Sequence, residues 1–82
     1  MFTVYVLYSK LFDKIYIGYT SNIEERLKSH NELATKGWTI KLRPWKLVHT
    51  EIFNVKAAAM KRERELKSAR GRDWIWDLIK RF

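Results

Sequence analysis

Two short runs rich in β-branched and aromatic residues, Phe2–Tyr8 and Ile15–Tyr19, are separated by only six residues, Ser9 to Lys14. This spacing is the tightest constraint in the chain. Six residues are too few for the crossover that joins parallel strands, so the two runs must pair antiparallel through a hairpin turn. Side chains then alternate between two faces, and the register decides what each face carries. If Tyr5 lies opposite Tyr16, both side chains project to the same side. A slip of one residue would send them to opposite faces.

Beyond the hairpin, Ser21 and Asn22 offer two overlapping N-caps. Glu24 and Glu25 stand three residues after each, the spacing of a capping box. Ile23, Leu27, His30 and Ala34 recur at helical spacing, which predicts a helix over about residues 22 to 33, ending before Gly37. Residues 35 to 44 read as a loop punctuated by Gly37 and Pro44. Residues 45 to 53 read as a third strand, and the Ala-rich, charged stretch 56 to 69 as a second helix with Gly71 as its C-terminal cap. Trp74, Ile75, Leu78, Ile79 and Phe82 form the stripe of a third helix. The expected fold class is α/β in the α+β sense, one domain over residues 1 to 82. A small three-stranded antiparallel sheet is flanked by three helices in the order β-β-α-β-α-α, because three strands cannot cover both of their own faces.

The chain has 82 residues and no cysteine, which removes disulfides and thiolate metal sites and points to a reducing cytoplasm. No apolar run approaches the roughly 20 residues needed to span a bilayer, so no membrane role is expected. The N-terminus lacks the pattern of a signal peptide. Aromatic residues make up 15% of the chain and supply core area that a small domain would otherwise lack. The net charge is +8, and it is uneven: residues 42 to 82 carry eleven bases against five acids. Such a surface attracts polyanions, of which nucleic acid is the commonest, although a soluble domain can also simply be basic.

Four features carry chemistry. Tyr5 and Tyr16, one on each hairpin strand, can orient a water or accept its proton if the phenol is made more acidic; equally, they are aromatics that suit a sheet. Arg26 and His30 lie one helical turn apart and can be presented together. A guanidinium fork matches the charge on a phosphate under attack, while the plainer reading is a salt-bridged arginine and a hydrogen-bonded histidine. Glu63 falls on the helix face with Ala59 and Leu66 and should meet the sheet, whereas Glu65 points nearly opposite. A carboxylate facing a sheet wants a partner, either a hard cation such as Mg²⁺ or Lys67 one turn on. Last, Lys41, Arg43 and Lys46, then Arg62, Lys67, Arg70 and Arg72, form a basic belt fit for phosphates. Trp76 lies off the third helix's apolar stripe and either caps the core edge or stacks on a base.

Together these residues resemble the GIY-YIG nuclease family, in particular its short stand-alone bacterial members. The second motif stands as Tyr16-Ile17-Gly18 and the first as Thr3-Val4-Tyr5, with threonine in place of the leading glycine. Tyr5, Tyr16, Arg26 and His30 follow in the family's order, and the segment Ala59–Lys67 resembles its metal-binding helix, which maps the ligand onto Glu63. The resemblance implies a metal-dependent endonuclease that hydrolyses phosphodiester bonds in DNA or structured nucleic acid. One divalent ion, Mg²⁺ or Mn²⁺, would sit on Glu63 and offset leaving-group charge. Tyr5 would activate or orient the water, Tyr16 would line the site, Arg26 would stabilise charge on phosphorus, and His30 would relay a proton or hold Tyr5. Larger members add a second histidine and a late asparagine. Here residues 39 to 41 are Thr-Ile-Lys and no asparagine follows Asn54. The alternative is a nucleic-acid-binding module of the same fold that cuts poorly or not at all; a structural or interaction protein is a third reading.

Overall fold

The computed structural model describes residues 1–33 and 38–81, apart from the side chains of Leu33 and Trp38. Strands β1 (Phe2–Ser9) and β2 (Lys14–Thr20) form the hairpin, followed by α1 (Ile23–Lys28), β3 (Lys46–Phe53), α2 (Lys56–Lys67) and α3 (Ala69–Ile79). The expected order β-β-α-β-α-α is therefore observed, and the three strands are antiparallel in the order β2-β1-β3. The turn closes at Asp13, whose φ of 54° is one that Asp tolerates better than most residues, and Tyr8 donates to its carboxylate at 3.0 Å.

As the central strand, β1 is covered on both faces. Val4, Val6 and Ile17 pack against Ala59 and Leu66 of α2 and Ile75 of α3. Tyr5 and Leu7 face the other way, packing with Trp45 and with Ile23 and Leu27 of α1. The helices thus divide between the faces, α2 and α3 on the Val4 side and α1 on the Tyr5 side.

Helix α1 starts as expected. Asn22 accepts the Glu25 amide at 3.1 Å, and its own amide reaches back to the Glu25 carboxylate at 3.4 Å. Ser21 is not the cap. After Lys28 the helix widens into a π turn over Ser29–Leu33. Ala34 and Gly37, read as the last stripe position and the helix stop, lie outside the described residues, as does Phe82. Part of the expected loop is a 3₁₀ turn, Trp38–Leu42, which is fastened to the sheet. Ser9, fully buried, donates to the Leu42 carbonyl at 2.7 Å, and the Trp45 indole N–H donates to Thr39 O at 2.8 Å.

Two expectations about the C-terminal third are corrected. Gly71 does not cap α2. That helix ends at Lys67, and Ser68 caps α3 by accepting the Gly71 amide at 3.2 Å. Gly71 sits in the first turn of α3 because the helices meet there: a Cβ would come within 2.2 Å of Glu65 O and 2.5 Å of Leu66 Cα. The α3 stripe is also narrower than its spacing suggested. Ile75 is fully buried, but Trp74 remains 44% exposed, held edge-on to His49 at the β3 margin. Trp76 is the partly buried tryptophan, set against the Tyr8 ring at the edge of the core.

Candidate active site

The site begins with the hairpin register. Tyr5 pairs with Gly18, and Tyr16 pairs with Leu7. The tyrosines are thus not directly opposite, but an offset of two residues keeps both on one face. Their rings stack with centroids 6.1 Å apart. Glycine at 18 makes this possible: a Cβ there would stand 2.7 Å from the Tyr5 hydroxyl oxygen and 2.9 Å from Cζ. The phenol lies across a strand position that has no side chain.

Helix α1 and the π turn that continues it supply the other two groups, Arg26 and His30, from successive turns. Arg26 Nε donates to Tyr5 Oη at 3.3 Å, and Tyr5 Oη lies 3.2 Å from His30 Nε2. Arg26 also hydrogen-bonds Tyr16, and the two phenols keep its guanidinium more firmly protonated than usual. His30 is buried, with its ring 4.5 Å from that of Tyr16. The four residues read from the sequence as a set are therefore brought together.

Electrostatics orders the chain of bonds. Burial pushes the Tyr5 phenol up to about 12, against an opposing pull from Arg26. His30 is moved the other way: burial first, then the positive charges of Arg26 and Arg43, lower its pKa. At neutral pH the histidine is uncharged and the phenol keeps its proton. Arg26 donates to the phenol oxygen, and with the imidazole proton on Nδ1 the phenol donates in turn to Nε2. The phenol is not the acidified tyrosine that direct proton abstraction from water would favour. It is a neutral hydroxyl between a cation and a neutral base.

Two supporting contacts escaped the sequence reading. Asn31 joins the π turn to the residue just before β3, donating to Trp45 O at 3.0 Å and accepting the Trp45 amide at 2.6 Å. Arg43 donates from Nε to His30 O at 2.5 Å and from Nη2 to Ser29 O at 3.2 Å. Those carbonyls end the helical turn that carries His30, where a cation is favoured. Neither contact has a local signature, since each partner is more than ten residues away in sequence.

The basic belt is less uniform than its sequence suggests. Arg43 clasps backbone. Arg62 is paired with Glu51, at 2.9 and 3.1 Å, and Arg72 donates to Lys67 O at 3.1 Å. Lys41, Lys46 and Arg70 are exposed. Beside Arg26 a pocket of about 250 Å³, lined by Thr20, Ser21, Asn22, Glu25 and Ser29, offers room for a polar group. A larger cavity of about 660 Å³ runs along the outer side of α1, but Glu24, Glu25 and Glu32 line it and would repel a phosphodiester.

Glu63 takes the helix face expected of it. Its side chain is 19% exposed, against 54% for Glu65. It rides on α2, on the Val4 side of the sheet, and its carboxylate lies 3.4 Å from the Lys67 ammonium. Among the described residues no three His, Cys, Asp or Glu side chains converge as a metal cage. A single carboxylate completed by phosphate oxygens and water is nevertheless a common way to hold Mg²⁺, so the donor set fits an ion that arrives with a substrate.

Known proteins give the arrangement a lineage. A family model described as the GIY-YIG catalytic domain matches residues 1–74. A UPF0213 protein of the archaeon Natronomonas pharaonis is 46% identical over 65 residues, which cover 79% of this chain and 75% of that one. A UPF0213 protein of Staphylococcus haemolyticus is 41% identical over 56 residues, 68% of each chain. The solution NMR structure of the UPF0213 protein BH0048 from Bacillus halodurans matches with a TM-score of 0.56 and 33% identity, covering 95% of this chain and 85% of that one. Among the described residues no helix is long and apolar enough to cross a membrane. By the family-model match and by these relatives, the chain belongs to the GIY-YIG catalytic-domain family.

Proposed function

We propose that this domain is an endonuclease that hydrolyses phosphodiester bonds in DNA or structured nucleic acid, with one divalent cation held by Glu63. The observation that carries the reading is the Arg26–Tyr5–His30 chain, with contacts of 3.3 and 3.2 Å and a buried, neutral base at its end. In this mechanism the exposed guanidinium of Arg26 binds the phosphate and stabilises charge as it builds on the non-bridging oxygens. The attacking water hydrogen-bonds to the Tyr5 hydroxyl. As it attacks, its proton passes to Tyr5 Oη while the phenolic proton moves to His30 Nε2, so the tyrosine ends as it began and the histidine carries the charge. Tyr16 walls the site and keeps the Tyr5 ring in place. Mg²⁺ or Mn²⁺ bound by Glu63 would supply neutralisation of the leaving oxygen. Strand β2 is the sheet edge that carries Tyr16, and α2, which carries Glu63, packs against it.

The test is cleavage of branched, nicked and linear DNA and RNA with Mn²⁺ or Mg²⁺, against a chelator control and the variants Glu63→Gln and Glu65→Gln. We expect metal-dependent cutting that Glu63→Gln abolishes and Glu65→Gln spares, with melting temperatures little changed. A second reading, a binding module that does not cut, is favoured by the contact between Glu63 and Lys67. No cutting by the wild type with any substrate would select it; equal cutting by the two glutamate variants would remove Glu63 from the site.

A further inference from the structure

The face of the molecule opposite the tyrosines carries an exposed, fixed aromatic that the proposed reaction does not use. Trp74 is 44% exposed. A mobile side chain with that exposure would be unremarkable, but this ring is braced. His49 meets it edge-on with centroids 5.0 Å apart, and the Arg62 guanidinium lies 5.8 Å from its centroid. Arg62 is itself fixed by Glu51, which also accepts from His49 at 2.7 Å. The indole borders a groove of about 500 Å³ at the α2–α3 corner, together with Arg62, Glu65, Arg70 and Gly71. Close approach of the helices at Gly71 fixes that corner.

We propose that this groove is a second nucleic-acid contact, in which Trp74 stacks on an unpaired nucleobase and Arg70 meets the adjoining phosphate. It rests on the nucleic-acid side of the function proposed above, not on cleavage. The groove has the size of a small-molecule site, and an indole face accepts any base. Bases inside a duplex already stack on one another, so the occupant is a single-stranded arm rather than paired DNA. The charges set its direction. Arg62 is neutralised by Glu51, and Glu65, 54% exposed, repels a phosphate on its side of the groove. Arg70 is exposed in the first turn of α3, where the helix dipole also favours an anion. The base therefore lies toward Arg62 and the backbone toward Arg70.

The experiment uses the full chain with a chelator present, so that cutting plays no part. Binding of a twelve-nucleotide oligothymidylate and of a blunt twelve-base-pair duplex is followed by tryptophan fluorescence and anisotropy. We expect the oligothymidylate to quench the wild type. Trp74→Leu, which keeps apolar volume but removes the π face, should weaken single-strand binding about ten-fold and duplex binding less than two-fold. Trp76→Phe should leave both unchanged. Arg70→Ala, at an exposed position that cannot upset the core, should lower the salt slope for the single strand by about 0.7. It carries the test even if Trp74→Leu folds poorly. Glu65→Gln should tighten single-strand binding. An unchanged affinity and quench in Trp74→Leu together with an unchanged slope in Arg70→Ala would overturn the proposal. So would equal losses on both nucleic acids, or a wild type that ignores the oligothymidylate, which would hand Trp74 to a protein contact. A chain that cuts nothing but binds through Trp74 loses the nuclease reading alone; one that cuts but binds independently of Trp74 loses only the groove.

Discussion

Val4 and Tyr5 are neighbours in one strand and both are buried, yet they belong to different kinds of interior. On the Val4 side, aliphatic residues meet aliphatic residues: Val4, Val6, Ile17, Ala59, Leu66 and Ile75. On the Tyr5 side, a phenol, an imidazole and an indole sit among leucines; the phenol and imidazole bond to each other, and the indole N–H donates to Thr39 O. The first interior depends on volume and area, which many side chains supply. The second depends on atoms standing at given distances, because a buried polar group that loses its partner pays the full desolvation cost. One face should therefore register damage as lost stability, and the other as lost chemistry.

The largest expected effect falls on the chemical side. Arg26→Ala removes an exposed side chain, so the free energy of unfolding should move by no more than about 0.5 kcal/mol. Its cleavage rate should fall on the order of 10²–10³-fold, as when a single stabilising donor is lost from a preorganised site. Denaturant unfolding and single-turnover cleavage on the same preparation measure both quantities. A large stability loss would show that the guanidinium supports the fold, and the contrast between the faces would fail.

Adjacent residues of β2 sharpen the comparison. Ile17 is 5% exposed on the Val4 side, and Ile17→Ala should cost about 2–5 kcal/mol with an unchanged rate per folded molecule. Gly18→Ala drives a methyl toward the Tyr5 hydroxyl, 2.7 Å from the ideal Cβ position. Overpacking should cost about 1–3 kcal/mol. The rate should fall further than stability explains, because displacing a reacting group by about 1 Å costs on the order of 10²-fold. Equal rates per folded molecule in the two variants would mean that the Tyr5 position is not critical.

These contrasts also show what can be read from residues alone. The hairpin, a helix cap at Ser21 or Asn22 and the shared face of Tyr5 and Tyr16 follow from local spacing and parity; the structure agrees with them and selects Asn22. Parity survived although the pairing did not: Tyr5 faces Gly18 and not Tyr16, and a two-residue shift conserves the face. The bracing of His30 by Arg43 and of Trp45 by Asn31 was invisible, because those bonds join segments brought together only by folding. Gly71 misled for a related reason. Glycine after a helix suggests a cap, while here it admits the close crossing of α2 and α3. The exchange between Trp74 and Trp76 arises because the stripe of α3 ends at the margin of β3, a boundary that periodicity does not mark.

A smaller effect tests the protonation order on the Tyr5 face. In the folded protein the Tyr5 phenol is held at about 12, above the ordinary 10.0, so the folded state keeps a proton that the unfolded chain releases. That contribution to stability is complete below pH 10.0 and is lost as the pH climbs toward about 12. Ultraviolet titration should show a late-ionising phenol near the top of that range that disappears in Tyr5→Phe. His30 has the opposite sign: its lowered pKa makes the neutral form the folded one, and the stability this gives, present above 6.5, declines as the pH falls through the histidine's own value. Cleavage should show an acid limb below 6.5, and Arg43→Ala should move it upward. A Tyr5 phenol that ionises near 10.0 would show that burial does not hold its proton, and the stability window between 10.0 and about 12 would be lost.

The smallest effect concerns the Val4 side, at the point where it is asked to take part in chemistry. Glu63 and Lys67 lie 3.4 Å apart with side chains 19% and 47% exposed. A pair so placed on a helix stabilises by only about 0.2–0.5 kcal/mol, so Lys67→Ala should barely shift the melting temperature. If Glu63 is the metal ligand, the ammonium competes with the ion for the same carboxylate. Removing it should raise Mn²⁺ affinity a few-fold, read by the electron-spin resonance of free Mn²⁺ with an oligonucleotide present. Glu63→Gln should abolish the same binding, and Glu65→Gln should leave it alone. Because Lys67 also belongs to the basic belt, cleavage at saturating metal will report two effects at once, and the resonance measurement separates them. Metal affinity that does not respond to Lys67→Ala would leave Glu63 as half of a surface ion pair. The Val4 interior would then take no part in the cleavage step, and the contrast between the two interiors would be complete.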